Sequence, residues 1–153
     1  MSIIPQPQSV ALKEGTVELA SLDAVLYTLD TNLNLEGYTI DISADHGVQL
    51  TGGSEAGLFY AKQTLRQLLP PSALRAGAKG PWQLAAQTIS DEPSSGLRWR
   101  GCMLDVARHF MPVADVLHFI DVLAFHKLNT FHFHLTDDQG WRVDVPQWPR
   151  GGV

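Results

Sequence analysis

Residues 101–135 read GCMLDVARHFMPVADVLHFIDVLAFHKLNTFHFHL, and this stretch decides the fold. Gly101-Cys102-Met103-Leu104-Asp105-Val106 is a mostly apolar run of strand length, suited to a buried strand. Pro112 stands at a first-turn position, where its missing N–H costs nothing. It opens a helix whose apolar stripe is Val116, Ile120, Leu123 and Ala124, flanked by Leu117 and Phe119. Asp115 in the first turn and Lys127 at the last match the helix dipole, and Asn129 reads as the C-terminal cap. Thr130-Phe131-His132-Phe133-His134-Leu135 is a second strand. Strand, helix, strand predicts a βαβ unit with a parallel pair and a right-handed crossover.

Upstream the pattern changes. Asp91-Glu92-Pro93-Ser94-Ser95-Gly96 is polar and turn-rich, and reads as a linker. Before it, Tyr38-Thr39-Ile40-Asp41-Ile42 alternates with period two, and Val48-Gln49-Leu50-Thr51 follows the turn-like Ala44-Asp45-His46-Gly47, which predicts a hairpin. Gly52-Gly53 breaks the second strand, and Ser54 is placed to cap a helix over about 55–69. Leu58, Ala61, Leu65 and Leu68 share one side of that helix, Lys62 and Arg66 the other, and Pro70-Pro71 stops it. Residues 72–81 read as a loop, and Gln83 to Ile89 as a further strand.

The chain of 153 residues fits one domain, or a small one plus part of another. A hydrophobic share of 44% excludes a disordered chain. No apolar run approaches the roughly 18–20 residues of a membrane span. Met1-Ser2-Ile3-Ile4-Pro5-Gln6-Pro7 has neither a basic nor an apolar leader region, so no signal peptide is read and a cytoplasmic location is expected. Cys102, the one cysteine, cannot form an internal disulfide. A net charge of −5 with no basic stripe argues against nucleic acid as a partner. Five of the six histidines lie between His109 and His134, and three of the four tryptophans at Trp99 or later. The chemistry is therefore sought in the last third.

Ligands of parallel sheets sit at the carboxyl ends of strands. The first strand of the βαβ unit runs into Arg108-His109, and the second into Thr136-Asp137-Asp138-Gln139-Gly140-Trp141-Arg142, so both polar clusters fall at one edge. Arg108 offers a fork of donors for vicinal hydroxyls or a carboxylate, or else a salt bridge to Asp105 or Asp137. Asp137-Asp138 suits a general base, a metal-ligand pair or an orienting pair, against a solvated turn. His132 and His134 project from one strand face. With Asp137 or Asp138 they suggest a divalent metal, but a hydrogen-bonded inward histidine is the simpler reading. His109 reads as a loop residue and His126 as a helix-face residue. Trp141 and Trp148 suit sugar rings or serve as loop anchors. Cys102 reads as a small core residue, Asp91-Glu92 as solvated turn residues, and Gly52-Gly53 lacks phosphate-loop spacing. No carboxyl in the chain stands out as a general acid.

The stretch from Arg100-Gly101-Cys102-Met103-Leu104-Asp105-Val106-Ala107-Arg108-His109-Phe110, through Ile120-Asp121, to Ala124-Phe125-His126-Lys127-Leu128-Asn129-Thr130-Phe131-His132-Phe133-His134-Leu135-Thr136-Asp137-Asp138-Gln139-Gly140-Trp141-Arg142 resembles the opening of the barrel in β-N-acetylhexosaminidases of glycoside hydrolase family 20. The resemblance covers roughly 98–150. Ile4-Pro5-Gln6-Pro7, Glu36-Gly37-Tyr38, Glu55-Ala56-Gly57-Leu58-Phe59-Tyr60 and Gln63-Thr64-Leu65 are similar to the small domain that precedes it. It implies an α+β N-terminal domain over 1–95, a small antiparallel sheet with a helix. Over 96–153 it implies the first βαβ unit of a TIM (β/α)8 barrel, truncated.

The resemblance also implies retaining removal of terminal β-linked N-acetylglucosamine or N-acetylgalactosamine, with the substrate's own acetamido oxygen as nucleophile. A Glu is then the acid/base and the Asp before it orients the acetamido group. By motif position Arg108 binds the far hydroxyls of the terminal sugar, Asp137 supports the network around the acid, and His134 lies beside it. No metal or organic cofactor is implied, and the partners are N-acetylhexosamine-terminated glycans or chitooligosaccharides. The Asp-Glu pair is expected beyond Val153, so no catalytic residue is assigned within this chain and the isolated chain is expected to be inactive, a fragment of a larger product. Between about Tyr27 and Glu36 the family pattern implies an additional helix and strand, where this chain has Thr-Leu-Asp-Thr-Asn-Leu-Asn-Leu. The competing readings are a non-catalytic carbohydrate- or protein-binding module, self-associating through an exposed barrel edge, and a metal hydrolase using His132, His134 and Asp137.

Overall fold

The structure is a computed structural model, and it describes residues 3–142, 144, 146 and 147; Trp148 lies outside the described residues. The chain forms two compact units, Met1–Arg98 and Trp99–Val153. No helix among the described residues is long and apolar enough to cross a membrane.

The first unit is an α+β structure. Its strands β1 (Ser9–Leu19), β2 (Leu26–Leu29), β3 (Tyr38–Ser43), β4 (Gly47–Gly52) and β5 (Trp82–Asp91) form one sheet in the order β1-β5-β3-β4-β2. The β3–β4 hairpin pairs Ile40 with Leu50 and Ile42 with Val48, and its alternation buries those four side chains together with Tyr38. Helix α1 (Glu55–Leu68) lays Leu58, Ala61 and Leu65 into the same core, where Leu84 and Ile89 of β5 join them. Each fully buried Leu, Ile or Val side chain of this core contributes roughly 1.5–3 kcal/mol. The expected cap is present: Ser54 Oγ accepts from Ala56 N at 3.1 Å. Leu69, ahead of Pro70, is already extended and ends the helix.

Three features depart from the sequence reading. The segment before Tyr38 does supply a strand, β2, parallel to β4, followed by turns; the absence of a helix between Leu29 and Tyr38 agrees with its sequence. Strand β1 is a long edge strand whose register against β5 shifts between Leu12 and Thr16. Asp91-Glu92 is not a solvated turn. Asp91 closes β5, and its Oδ2 accepts from the buried Tyr38 hydroxyl at 2.9 Å, while Glu92 Oε2 accepts from Asn34 Nδ2 at 2.9 Å. Gly52-Gly53 is a packing requirement, since a Cβ on Gly53 would lie 2.0 Å from Asn34 O and one on Gly52 2.5 Å from Leu58 N. After β5, α2 (Pro93–Gly96) is a single turn.

In the second unit β6 (Gly101–Asp105) and β7 (Thr130–His134) pair in parallel, in register from Gly101↔Thr130 to Asp105↔His134. Helix α3 (Val113–Phe125) connects them and packs on one face, with the Phe119 and Phe131 rings 5.7 Å apart. Pro112 is the N-cap rather than a residue of the first turn. The helix ends differently from expectation. Leu128 N donates to Leu123 O and Lys127 N to Ala124 O, both at 2.9 Å, with Lys127 at φ 60°. This double bond pattern is a Schellman ending with lysine in the left-handed position, so Lys127 is buried rather than a solvated dipole partner. Asn129 instead serves the strands, its Oδ1 accepting from Arg100 N at 2.9 Å. The apolar run of β6 predicts a buried strand, but within this unit only Leu104 is buried and Met103 is 52% exposed. Parallel strands are buried by neighbours on both sides and both faces. This sheet holds two strands among the described residues, with α3 on one face.

Candidate functional site

The parallel register brings the last residue of β6, Asp105, level with the last residue of β7, His134. Side chains alternate along a strand, so Met103, Asp105, His132 and His134 share the face opposite Phe131 and Phe133. The loops leaving the two strands meet at this end. Val106 N donates to His134 O at 3.1 Å, joining the first residue past β6 to the end of β7.

Asp105 folds its carboxylate back over its own loop. Oδ1 accepts from Ala107 N at 3.1 Å and Arg108 N at 3.0 Å, and Oδ2 pairs with Arg108 Nη1. The other arm of the fork, Arg108 Nη2, donates to Asp137 Oδ2 at 3.0 Å. His134 Nε2 meets that same oxygen at 3.0 Å. Asp137 Oδ1 accepts from Asp138 N at 2.8 Å. The three residues expected at the site, Arg108, Asp137 and His134, are therefore one connected cluster, and Asp105 is its fourth member. The salt bridges offered as the alternative reading of Arg108 exist, to both acids. They engage two of the five N–H donors of the guanidinium, whose side chain is 56% exposed.

The electrostatics follow from these contacts. The Arg108 backbone N–H, and then its guanidinium, hold the Asp105 carboxyl below the usual carboxylate range. The Asp138 N–H, then His134 and Arg108, do the same for Asp137, and the two acids raise Arg108 in turn. All three stay charged at neutral pH. Together they sum to one negative charge, and Asp138 adjoins them.

Other candidates are placed apart. His132 is exposed, its ring 6.1 Å from that of His134, and no group of three or more His, Cys, Asp or Glu among the described residues is arranged to hold a metal. Asp138 and His109 are exposed, and His126 lies edge-on to Phe125. Cys102 is half-buried and free. Trp141 is 53% exposed, next to the cluster in sequence. Sequence reasoning did not single out Gly140 or Arg142. Gly140 bridges to Asp137 in both directions (3.1 and 3.3 Å) and leaves no room for a Cβ, which would lie 2.4 Å from Ala107 O. The sequence signals for both were their place in the loop after β7 and within the stretch that carries the family resemblance.

Comparison with known proteins places both units in one family. The profile described as "Glycosyl hydrolase family 20, domain 2" matches residues 19–92, and "Glycosyl hydrolase family 20, catalytic domain" matches residues 97–150. A β-hexosaminidase of Akkermansia muciniphila is 38% identical over 151 residues, which is 97% of this chain and 28% of that protein. Among solved structures, the Streptomyces plicatus N-acetyl-β-hexosaminidase in complex with Thio-NAglucal has a TM-score of 0.81 at 34% identity, covering 97% of this chain and 37% of that one. An exo-β-N-acetylglucosaminidase of Vibrio harveyi in complex with N-acetylglucosamine has a TM-score of 0.80 at 28% identity, covering 97% and 27%. The chain thus spans 27–37% of the length of these three proteins.

Proposed function

The chain belongs to glycoside hydrolase family 20, and from that premise we propose that the whole protein is a retaining exo-β-N-acetylhexosaminidase, acting on glycans or chitooligosaccharides that end in β-linked N-acetylglucosamine or N-acetylgalactosamine. In this reading β6, α3 and β7 are the first βαβ unit of a (β/α)8 barrel, and the face bearing Asp105 and His134 looks into the barrel. The substrate's acetamido oxygen attacks the anomeric carbon, and an Asp-Glu pair orients it and protonates the leaving oxygen. The sole Asp-Glu dipeptide of the chain, Asp91-Glu92, belongs to the first unit, where Asp91 is bonded to Tyr38 and Glu92 to Asn34. The acid/base pair is therefore assigned beyond residue 153.

The observation that carries the reading is the state of Arg108. A guanidinium already flanked by two carboxylates offers no net positive field, so it does not suit an anion. Its remaining donors, beside acceptor oxygens of Asp105 and Asp137, suit neutral hydroxyls that both donate and accept. Arg108 binds the far hydroxyls of the terminal sugar, Asp137 holds Arg108 and His134 in place, and His134 faces the acid. The test is direct. The reading frame beyond codon 153 is expected to encode an Asp-Glu pair, and its full product to cleave a chromogenic N-acetyl-β-glucosaminide, while the 153-residue chain alone does not. Turnover by the short chain overturns the assignment of the acid.

A further inference from the structure

Residues Val106–Arg108 follow β6 without regular secondary structure, yet their backbone is held from two sides. Their N–H groups go to His134 O and to Asp105 Oδ1. The carbonyls go to Arg142: Nε and Nη2 donate to Val106 O at 3.3 and 3.2 Å, and Nη2 to Ala107 O at 3.3 Å. Val106 and Ala107 are 3% and 1% exposed, so those oxygens have little access to water as a substitute partner. Arg142 pairs with no carboxylate among the described residues; its fork is spent on two adjacent peptide oxygens, a geometry that a lysine point charge does not reproduce. Its guanidinium carbon also lies 5.3 Å from the Phe110 ring centroid, two residues past Arg108. An independent observation points the same way. Gly140 approaches Ala107 O so closely that a side chain is excluded, so the loop after β7 packs directly on the peptide preceding Arg108.

We propose that Arg142 is a positioning residue for Arg108. One loop grips the Arg108 segment twice, Asp137 holding the guanidinium and Arg142 holding the main chain beneath it. The role in catalysis rests on the sugar-binding reading of Arg108 given above; the grip itself does not. Two experiments separate them. In the 153-residue chain, Arg142→Met is expected to speed amide exchange at Ala107 and Arg108 at least about tenfold, while the amides of β6 and β7 keep their protection and Arg142→Lys falls between. Unchanged exchange at Ala107 and Arg108 overturns the proposal. In the whole protein, Arg142→Met is expected to raise KM about tenfold with a smaller change in kcat, and Arg142→Lys to recover part of it. Added to Arg108→Met, it is expected to cost less than about threefold more, because both act through one contact. Fully additive losses mean a merely structural role and also overturn the proposal. If the unaltered whole protein cleaves no N-acetylhexosaminide, the enzyme reading fails, and amide exchange alone decides the grip.

Discussion

Replacing Tyr38 with Phe removes a single oxygen from the most buried polar contact of the first unit. The ring is 1% exposed, and its hydroxyl donates to Asp91 Oδ2 at 2.9 Å and bonds the Thr64 hydroxyl at 2.6 Å. Burial pushes the phenol far above its ordinary pKa, so it remains a neutral donor at every working pH. Phenylalanine fills the same volume, so no cavity term arises. What remains is the Thr64 hydroxyl, 0% exposed, stripped of this partner, and an Asp91 carboxylate that has lost the Tyr38 hydroxyl. An unsatisfied buried polar group costs about 1–3 kcal/mol. At about 2 kcal/mol, a domain of this size melts roughly 8–16 °C lower. The assay is thermal and urea unfolding followed by circular dichroism, with the urea midpoint falling at constant m. Thr64→Val supplies the check: Tyr38→Phe/Thr64→Val should be less destabilised than the two single losses added, because the orphaned hydroxyl is gone. A Tyr38→Phe variant within about 0.5 kcal/mol of the parent, or strict additivity, refutes the account.

Two further outcomes are expected. Asp137 has its pKa lowered from 3.8, so the stability that its contacts provide is complete above the ordinary carboxylate range and is lost as pH falls through the lower, folded value. The Asp137 carboxyl carbon, followed by NMR in the 153-residue chain, should titrate below 3.8, and a midpoint at or above it contradicts the cluster. The second outcome concerns association. Among the described residues β6 and β7 each present an open edge, and Phe110, Val113, Leu117 and Phe133 are exposed around a hollow of about 810 Å³, so the isolated chain should self-associate. Light scattering that rises with concentration agrees; a clean monomer with a cooperative melt does not.

Elements with strong local signals were legible. The β3–β4 hairpin alternates cleanly because one face is core and the other is not, and α1 carries its cap, its stripe and its stop within eighteen consecutive residues, 54–71. Strand β1 was not legible. Nearly all of its side chains are exposed, so no alternation marks it, and its partner β5 is more than sixty residues away in sequence. Asp91 was misread for a related reason: its setting in sequence is a turn, but its partner Tyr38 comes from β3, across the sheet. The end of α3 was misplaced because a lysine took the left-handed position that glycine or asparagine usually fills, and Asn129, two residues later, drew the reading.

The candidate site was legible because its side-chain contacts are local or span one βαβ unit. Asp105 and Arg108 are three residues apart, as are His134 and Asp137, and each pair sits on the carboxyl end of its own strand. Parallel pairing in register then sets Asp105 against His134, which brings the two loops together and leaves Arg108 within reach of Asp137. Residue types and strand ends pointed to Arg108 and Asp137, the family resemblance added His134, and the structure adds Asp105 to the cluster. Main-chain contacts carry no such signal. Any arginine in the loop after β7 has the chemistry to grip a carbonyl, and only the path of the backbone reveals that Arg142 reaches two of them beneath Arg108. The part of a site that touches substrate is written in residue identity, and the part that holds the loop still is written in the fold. The second kind of residue has to be sought where buried backbone oxygens outside helices and strands find their donors.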